Sequence, residues 1–470
     1  MLFNTIQFYA IFLAFLIIFA LLRTRSRTLM MLWVIGFSMF FYTQTNASLG
    51  ALLPATAFIS WALTKRMAEC GGQLRRRWMS FIVVLDLLPL IYFKYTNFGI
   101  DLWNTIFQGN LPLLQIALPV GISFYTFQAI SYTVDVYKRK FLLETDFFEY
   151  LFFLSFFPLL LAGPITRPGT LIPQLRQKRE VNPDMLYRGL FLVMLGVIKK
   201  SVIADYIAQY NNWIFNDPMM YSGFENLMAL IGYTVQIYCD FSGYSDMSIG
   251  MAAMMGFTLN DNFNFPYQSL NITEFWRRWH ISLSTWFRDY LYIPLGGNRK
   301  GSGRTYLNNF ITMLVAGLWH GSTLMYVAWG ALHGIALVIH KAMKNAFLDR
   351  IPDLLPVRVI SWIICWTFIV VSWSVFRSPD WLTLSKIYTQ IFTTWDWAYL
   401  PVFVAARPMW VALVVLSMLL HGIRHSWYEA IIRRFIPLQW WVKMLLMMVV
   451  LQLAIQFYTS SVQPFLYYQY

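Results

Sequence analysis

Charge is what this sequence has least of. Only 12% of its 470 residues are Asp, Glu, Lys or Arg, against about 25% in a soluble domain. In their place the chain is 58% hydrophobic and 19% aromatic, which excludes a soluble protein and implies an integral membrane one. Its apolar runs are nearly continuous, so helices are expected, whereas an outer-membrane barrel needs alternation. Cysteine is scarce too. Cys70, Cys239 and Cys365 lie far apart with no metal-like spacing, so neither a disulfide framework nor a zinc site is implied. Linkers, low-complexity tracts and visible internal repeats are missing. The 470 residues therefore read as one helical domain, and the missing repeat argues against transporter folds built from two related halves.

Acidic residues are outnumbered by basic ones, 22 to 36, for a net charge of +14. Most of that excess follows from Lys and Arg collecting in cytoplasmic loops. The remainder suits a face that receives a phosphate-bearing donor. Nucleic acid is not an expected partner, because no soluble basic domain exists to bind it.

Loop charges give a topology. The opening run from Leu2 to Leu22 has no preceding positive charge and is long enough to span, so a cleaved signal is not expected. Arg23, Arg25 and Arg27 place the following loop inside. Spans at about 28–44 and 47–63 return to a loop with Lys65, Arg66 and Arg75 to Arg77. A span at about 79–97 crosses outward, and no Lys or Arg occurs again until Lys138. Two runs then break the alternation. Run 147–165 has basic flanks on both sides and contains Pro158 and Gly163-Pro164; run 310–339 lies between Arg304 and Lys341 and breaks at His320-Gly321-Ser322-Thr323. Both read as re-entrant, and irregular backbone at membrane depth is tolerated only where protein or a water-filled cavity surrounds it. With spans at about 186–204, 226–256, 357–377, 402–421 and 437–458, the fold class is all-α. It is a polytopic membrane bundle of roughly ten crossings plus two re-entrant segments, enclosing a central cavity or tunnel.

The segment Glu274 to Arg299 is basic and aromatic in an otherwise apolar chain. Asn271 and Glu274 are spaced as an N-cap pair, and Pro294 with Gly296-Gly297 is a stop. A continuous helix over 273–290 puts Phe275, Trp279, Leu283, Trp286 and Tyr290 on one arc. Arg277, His280, Ser284 and Arg288 fall on the other. Such a helix is either an interfacial anchor whose arginines reach lipid phosphates or a landing site for an anionic donor, for which the planar guanidinium is suited.

Of six histidines, His421 and His425 read as loop residues and His340 as the end of a span. His333 reads as a hydrogen-bonding residue inside the membrane, and His280 as interfacial. His320 differs, because it sits at a helix break in apolar surroundings. An ionisable residue at membrane depth is a functional-site hypothesis by default, and a neutral buried imidazole can act as a general base.

The stretches RRWHISLSTWFRDYLYIPLGGNR and AGLWHG resemble the membrane-bound O-acyltransferase family, in particular its bacterial branch that O-acetylates alginate, peptidoglycan and cellulose. LPVGISFYTFQAISYTVDVY, FPLLLAGPITRP and YCDFSGYSDMSIG agree. The resemblance covers a core of about 90–340 within a single domain of 1–470, with C-terminal helices at 341–470. It implies that His320, in the WHG motif, is catalytic and that His280, in the RRWH motif, is a second site residue. It also implies an acyl thioester donor (acetyl-CoA or an acyl carrier) used as substrate, with no permanently bound cofactor and no metal. The acetyl group is expected to pass from the cytoplasm across the cell (inner) membrane to a polysaccharide, with a periplasmic or extracellular acetyltransferase as partner. Arg277, Arg288 and Arg299 are the expected contacts to the donor; Asp240, Ser242 and Asp246 either orient a partner group or pack between helices. The alternatives are D-alanyl transfer to teichoic acid, an acyltransferase acting on sterols or glycerolipids, and a transporter or flippase without transfer chemistry.

Overall fold

The structure is a computed structural model and describes residues 3, 5–44, 47–141, 146–177 and 182–457. Residues 2 and 4 of the opening run, 178–181 of the basic flank after run 147–165, and 458 at the end of the last span lie outside the described residues. Among those described, all regular structure is helical. The chain forms two compact units, one of Met1–Val193 with Ser245–Asn260 and one of Met194–Tyr244 with Asp261–Tyr470.

The first unit opens with α1 (Ile6–Arg25) and α2 (Arg27–Thr43). Ser26 alone separates them: its N–H bonds the Leu22 carbonyl, closing α1, while its hydroxyl accepts from Leu29 N–H, opening α2. Phe8, Phe12, Phe15 and Phe19 repeat every three or four residues along α1 and are buried as one aromatic ridge. Next come α3 (Leu52–Glu69), α4 (Gly72–Leu90), α5 (Thr96–Phe107) and α6 (Ile122–Tyr137). A π-helical turn at Ile91–Tyr95 joins α4 to α5 in one apolar stretch of 36 residues. Run 147–165 breaks where its prolines and glycine predict. It comprises α7 (Phe147–Ser155), a short α8 (Phe157–Leu160) and irregular backbone leading to α9 (Pro168–Arg176). The break is buried within this unit, and its polar groups are met there. Phe157 N–H donates to Ser38 Oγ at 3.1 Å, and Ser248 donates to the Pro158 carbonyl. Buried Glu149 receives both Arg27 and Arg176. Gly121 must be glycine, because its φ is +73° and a Cβ would fall 2.2 Å from the Leu160 carbonyl oxygen.

The second unit is framed by long helices. The chain leaves the first unit within α10 (Pro183–Val197) and runs through a π-helical Ile198–Ala204 and α11 (Asp205–Asn216), then α12 (Gly223–Met254), whose end from Ser245 belongs to the first unit. Lys200, 1% exposed, is neutralised by Asp205 at 2.8 Å and by Asp240. The site-bearing elements follow: α13 (Ile272–Arg278), α14 (Ile281–Phe287), α15 (Gly301–His320), α16 (Leu324–Ala346) and α17 (Leu355–Arg377). The C-terminal part adds α18 (Trp381–Thr393), α19 (Tyr399–Ala406), α20 (Pro408–His421), α21 (His425–Phe435) and α22 (Trp440–Gln456).

By length and apolarity alone, four described helical stretches suffice to cross a membrane: Gln7–Arg25, Gly72–Phe107, Leu324–Ala346 and Leu355–Arg377. A fifth is available if α19 and α20, bent by 95° at Arg407, act as one span. Run 310–339 is a pair of helices of 20 and 23 residues, α15 and α16, hinged at its expected polar break.

Candidate active site

The α13 start is as its sequence suggests: Asn271 Oδ1 accepts from Glu274 N–H at 2.9 Å, and Glu274 Oε2 accepts from Leu270 N–H at 2.9 Å. The single helix expected over 273–290 is corrected. It stops at Arg278, turns through His280 at φ 43°, and restarts as α14 before a π-helical Arg288–Tyr292. The cause is a neighbouring loop that takes over the hydrogen bonds. Ile281 N–H donates to the Asn262 carbonyl at 2.9 Å, and Asn264 N–H donates to the Arg278 carbonyl at 2.9 Å. Periodicity was a poor guide because the competing partners, Asn262 and Asn264, belong to a loop earlier in the chain. The aromatic arc survives, with Phe275, Trp279, Leu283 and Trp286 buried. The cationic arc does not survive intact: Arg277 and Arg288 are exposed, whereas His280 is fully buried.

That turn fixes the His280 ring. Asn262 Oδ1 accepts from Ser282 N–H at 3.2 Å and Ser282 Oγ at 2.8 Å, so it is the amide oxygen. His280 Nδ1 lies 3.1 Å from the same oxygen and must therefore carry the proton, leaving Nε2 as the basic nitrogen. Burial pushes this imidazole down to about 3 from its usual 6.5, so it is neutral at ambient pH.

His320 is the last residue of α15 and is 3% exposed. Trp319 and Trp329 present their rings nearly perpendicular to it at 5.0 Å each, and Phe376 at 5.4 Å. The hinge after it depends on glycine, because a Cβ on Gly321 would fall 2.1 Å from the Tyr326 ring. Below the hinge the two helices touch backbone to backbone. A Cβ on Gly317 would sit 2.3 Å from the Tyr326 carbonyl oxygen, and one on Gly330 2.5 Å from that of Met313. Gly317-x-x-x-Gly321 and Gly330-x-x-x-Gly334 are small-residue repeats of the kind that lets membrane helices approach closely, a signal the sequence reading passed over.

Three histidines converge through tryptophans. The Trp319 ring lies 6.2 Å from His280 and 5.0 Å from His320; the Trp329 ring lies 5.0 Å from His320 and 4.6 Å from His333. Trp276 donates its indole N–H to His333 Nδ1 at 3.2 Å, which fixes His333 as the neutral Nε2–H form. Sequence reasoning missed Asn262, Trp276 and Trp329 as partners, since none has a motif of its own. It also misplaced His421, which is no loop residue. It is buried at the end of α20, where its Nε2 accepts from Tyr267 N–H at 2.9 Å.

Two cavities adjoin this cluster and share Asn309, Leu337 and Lys341 as lining. The smaller, of about 460 Å³, is bounded by Trp276, Leu283, Ser284, Arg288, Tyr292 and Ala316, the last one helical turn before His320. The larger, of about 1060 Å³, runs along α13, α16 and α17 and is lined by Arg277. Neither is lined by His280 or His320, and Arg299 is exposed and lines neither. Arg288 is paired with Asp289 at 2.8 Å. Asp240 is committed to Lys200.

An imidazole in its neutral form, buried among aromatic walls, can take a proton from an attacking hydroxyl with water excluded. Known proteins carry the same sequence features. Residues 90–378 match the family described as MBOAT, membrane-bound O-acyltransferase family. A "Probable alginate O-acetylase AlgI" from Pseudomonas aeruginosa is 40% identical over 404 residues, covering 84% of this chain and 76% of the relative. A "Peptidoglycan O-acetyltransferase" from Helicobacter pylori is 35% identical over 376 residues, 74% and 71% respectively. A "Teichoic acid D-alanyltransferase" from Bacillus subtilis is 28% identical over 276 residues, 56% and 68%.

Proposed function

The chain belongs to the membrane-bound O-acyltransferase family and is a membrane acyltransferase, and from that premise we propose that it delivers acetyl groups for O-acetylation of an exported or cell-surface polysaccharide, of alginate type or peptidoglycan. The donor in this reading is a cytoplasmic thioester, acetyl-CoA or an acyl carrier. A periplasmic acetyltransferase is the partner that hands the group on, and the location is the cell (inner) membrane. The proposed topology keeps roughly ten crossings, with runs 147–165 and 310–339 as the two segments that do not simply traverse.

The observation that supports this best is His320 at the hinge of the α15–α16 hairpin, walled by Trp319, Trp329 and Phe376, one turn from the wall of the smaller cavity. The thioester occupies that cavity, with Arg288 at its rim and Arg277 and Arg299 adding positive potential to the approach. His320 removes the proton of the acceptor hydroxyl as its oxygen attacks the thioester carbonyl. The tetrahedral intermediate then collapses, the C–S bond breaks, and the imidazolium returns its proton to the departing thiolate. His280, neutral and with Nε2 basic, stands across the Trp319 ring from His320 and is the second site residue in this reading.

His320→Ala should lower acetyl transfer by on the order of 10²- to 10⁴-fold with normal protein levels in the membrane. A carrier without transfer chemistry would keep moving its cargo in that variant, and this outcome would refute the reading. D-alanyl transfer is the second reading, tested by assaying D-alanine esters in parallel.

A further inference from the structure

The larger cavity divides into an apolar flank and a cationic one. One flank is apolar and open to the outside, with Ile335 and Ile339 of α16 and Ile364 of α17 each about half exposed or more. The same groove carries Arg277 and Lys341. Its acidic residues are already matched: Glu274 pairs with Arg278 at 2.8 Å, Asp353 with Arg358 at 3.3 Å and Asp349 with Lys344 at 3.8 Å. Among the described residues, Arg277 and Lys341 have no ion-pair or hydrogen-bond partner, so two uncompensated cations remain beside an apolar wall. Thr273 Oγ1 lies 2.9 Å from His340 Nδ1. This contact ties α13 to α16, with Arg277 one turn beyond Thr273 on the same helix face and Lys341 next to His340.

We propose that this groove is a binding site for an anionic phospholipid, its acyl chains along α16 and α17 and its phosphate between Arg277 and Lys341. The wall alone would accept any acyl chain; the unmatched charge selects a net-negative headgroup over a zwitterionic one. A lipid, and not a soluble phosphate, fits because the apolar lining continues onto exposed aliphatic side chains of α16 and α17, two helices long and apolar enough to cross a membrane. Basic pockets beside membrane helices commonly hold anionic headgroups, each Lys or Arg contributing roughly 1 kcal/mol, or about fivefold.

The test uses the full-length protein purified in detergent and supplied with equal phosphatidylglycerol and phosphatidylcholine, with retained lipid read by native mass spectrometry. Wild type should favour phosphatidylglycerol by about 25-fold, each of R277Q and K341Q should lose about fivefold of that, and the double variant should show little preference. Raising the salt should erode the wild-type preference without any mutation, which keeps the test decisive if the double variant does not fold. Equal retention of the two lipids by wild type, or an unchanged preference in both single variants, would overturn the proposal. Displacement of bound phosphatidylglycerol by excess inorganic phosphate would overturn it as well, by assigning the groove to a soluble anion. None of these readings depends on acetyl transfer, so the lipid site and the catalytic assignment can fail separately.

Discussion

His280 shows what a single residue's surroundings add to a motif. Its left-handed backbone is a conformation that Asn also adopts readily, and an Asn amide there can donate to Asn262 Oδ1 in place of the ring. H280N should therefore fold. The imidazole is held at about 3 in the folded chain against 6.5 when exposed. Between those values the unfolded chain binds the extra proton, so this residue's contribution to stability is intact above about pH 6.5 and is lost progressively as pH falls toward about 3. The melting temperature of the purified wild type should fall on acidification from about pH 7 to about pH 5, and H280N should show a shallower fall. Identical slopes would mean that His280 is not buried as described. The buried position of His320 at a helix break was legible from sequence because a lone ionisable residue stood in apolar surroundings. The tautomer of His280 was not, since it is set by Asn262 and Ser282 through contacts that periodicity does not encode.

Among elements, the α15–α16 hairpin is the one on which the site depends. A methyl group on Gly317 would collide with backbone and not with a movable side chain, so G317A should separate the helices and cost about 1–3 kcal/mol, with loss of activity because His320 is three residues away. G303A, in the same helix with nothing within 4 Å of the added Cβ, should be neutral or slightly stabilising. Thermal unfolding of the two variants side by side checks this; equal effects would show that helix propensity, and not the close approach, is at work. N271A should cost about 0.5–2 kcal/mol by removing the cap that Glu274 N–H uses, measured by the same melt. Helix ends were the most legible part of this region: the Asn271 cap, the Gly296-Gly297 stop with both residues at positive φ, and the break after His320 all fall where the residues put them. The interruption at His280 was hidden because its cause is a distant loop.

At the scale of the whole molecule, composition sufficed for the helical membrane class, since 12% charge leaves too little polar surface for anything else. Crossing number was harder to read. Several helices are short, bent or polar on one face, because a helix packed against its neighbours inside a membrane protein need not be apolar all round. The runs that broke the charge alternation were the useful ones, as one holds the buried Pro158 break and the other ends α15 at His320.

The measurement that bears most directly on the central claim is ester-bound acetate on the cell's polysaccharide and peptidoglycan fractions. A deletion strain would be complemented with wild type or H320A, with both proteins quantified in the membrane. Restoration on one fraction by wild type alone is expected and would name the acceptor. Equal restoration by H320A would contradict the assignment of His320 as the general base.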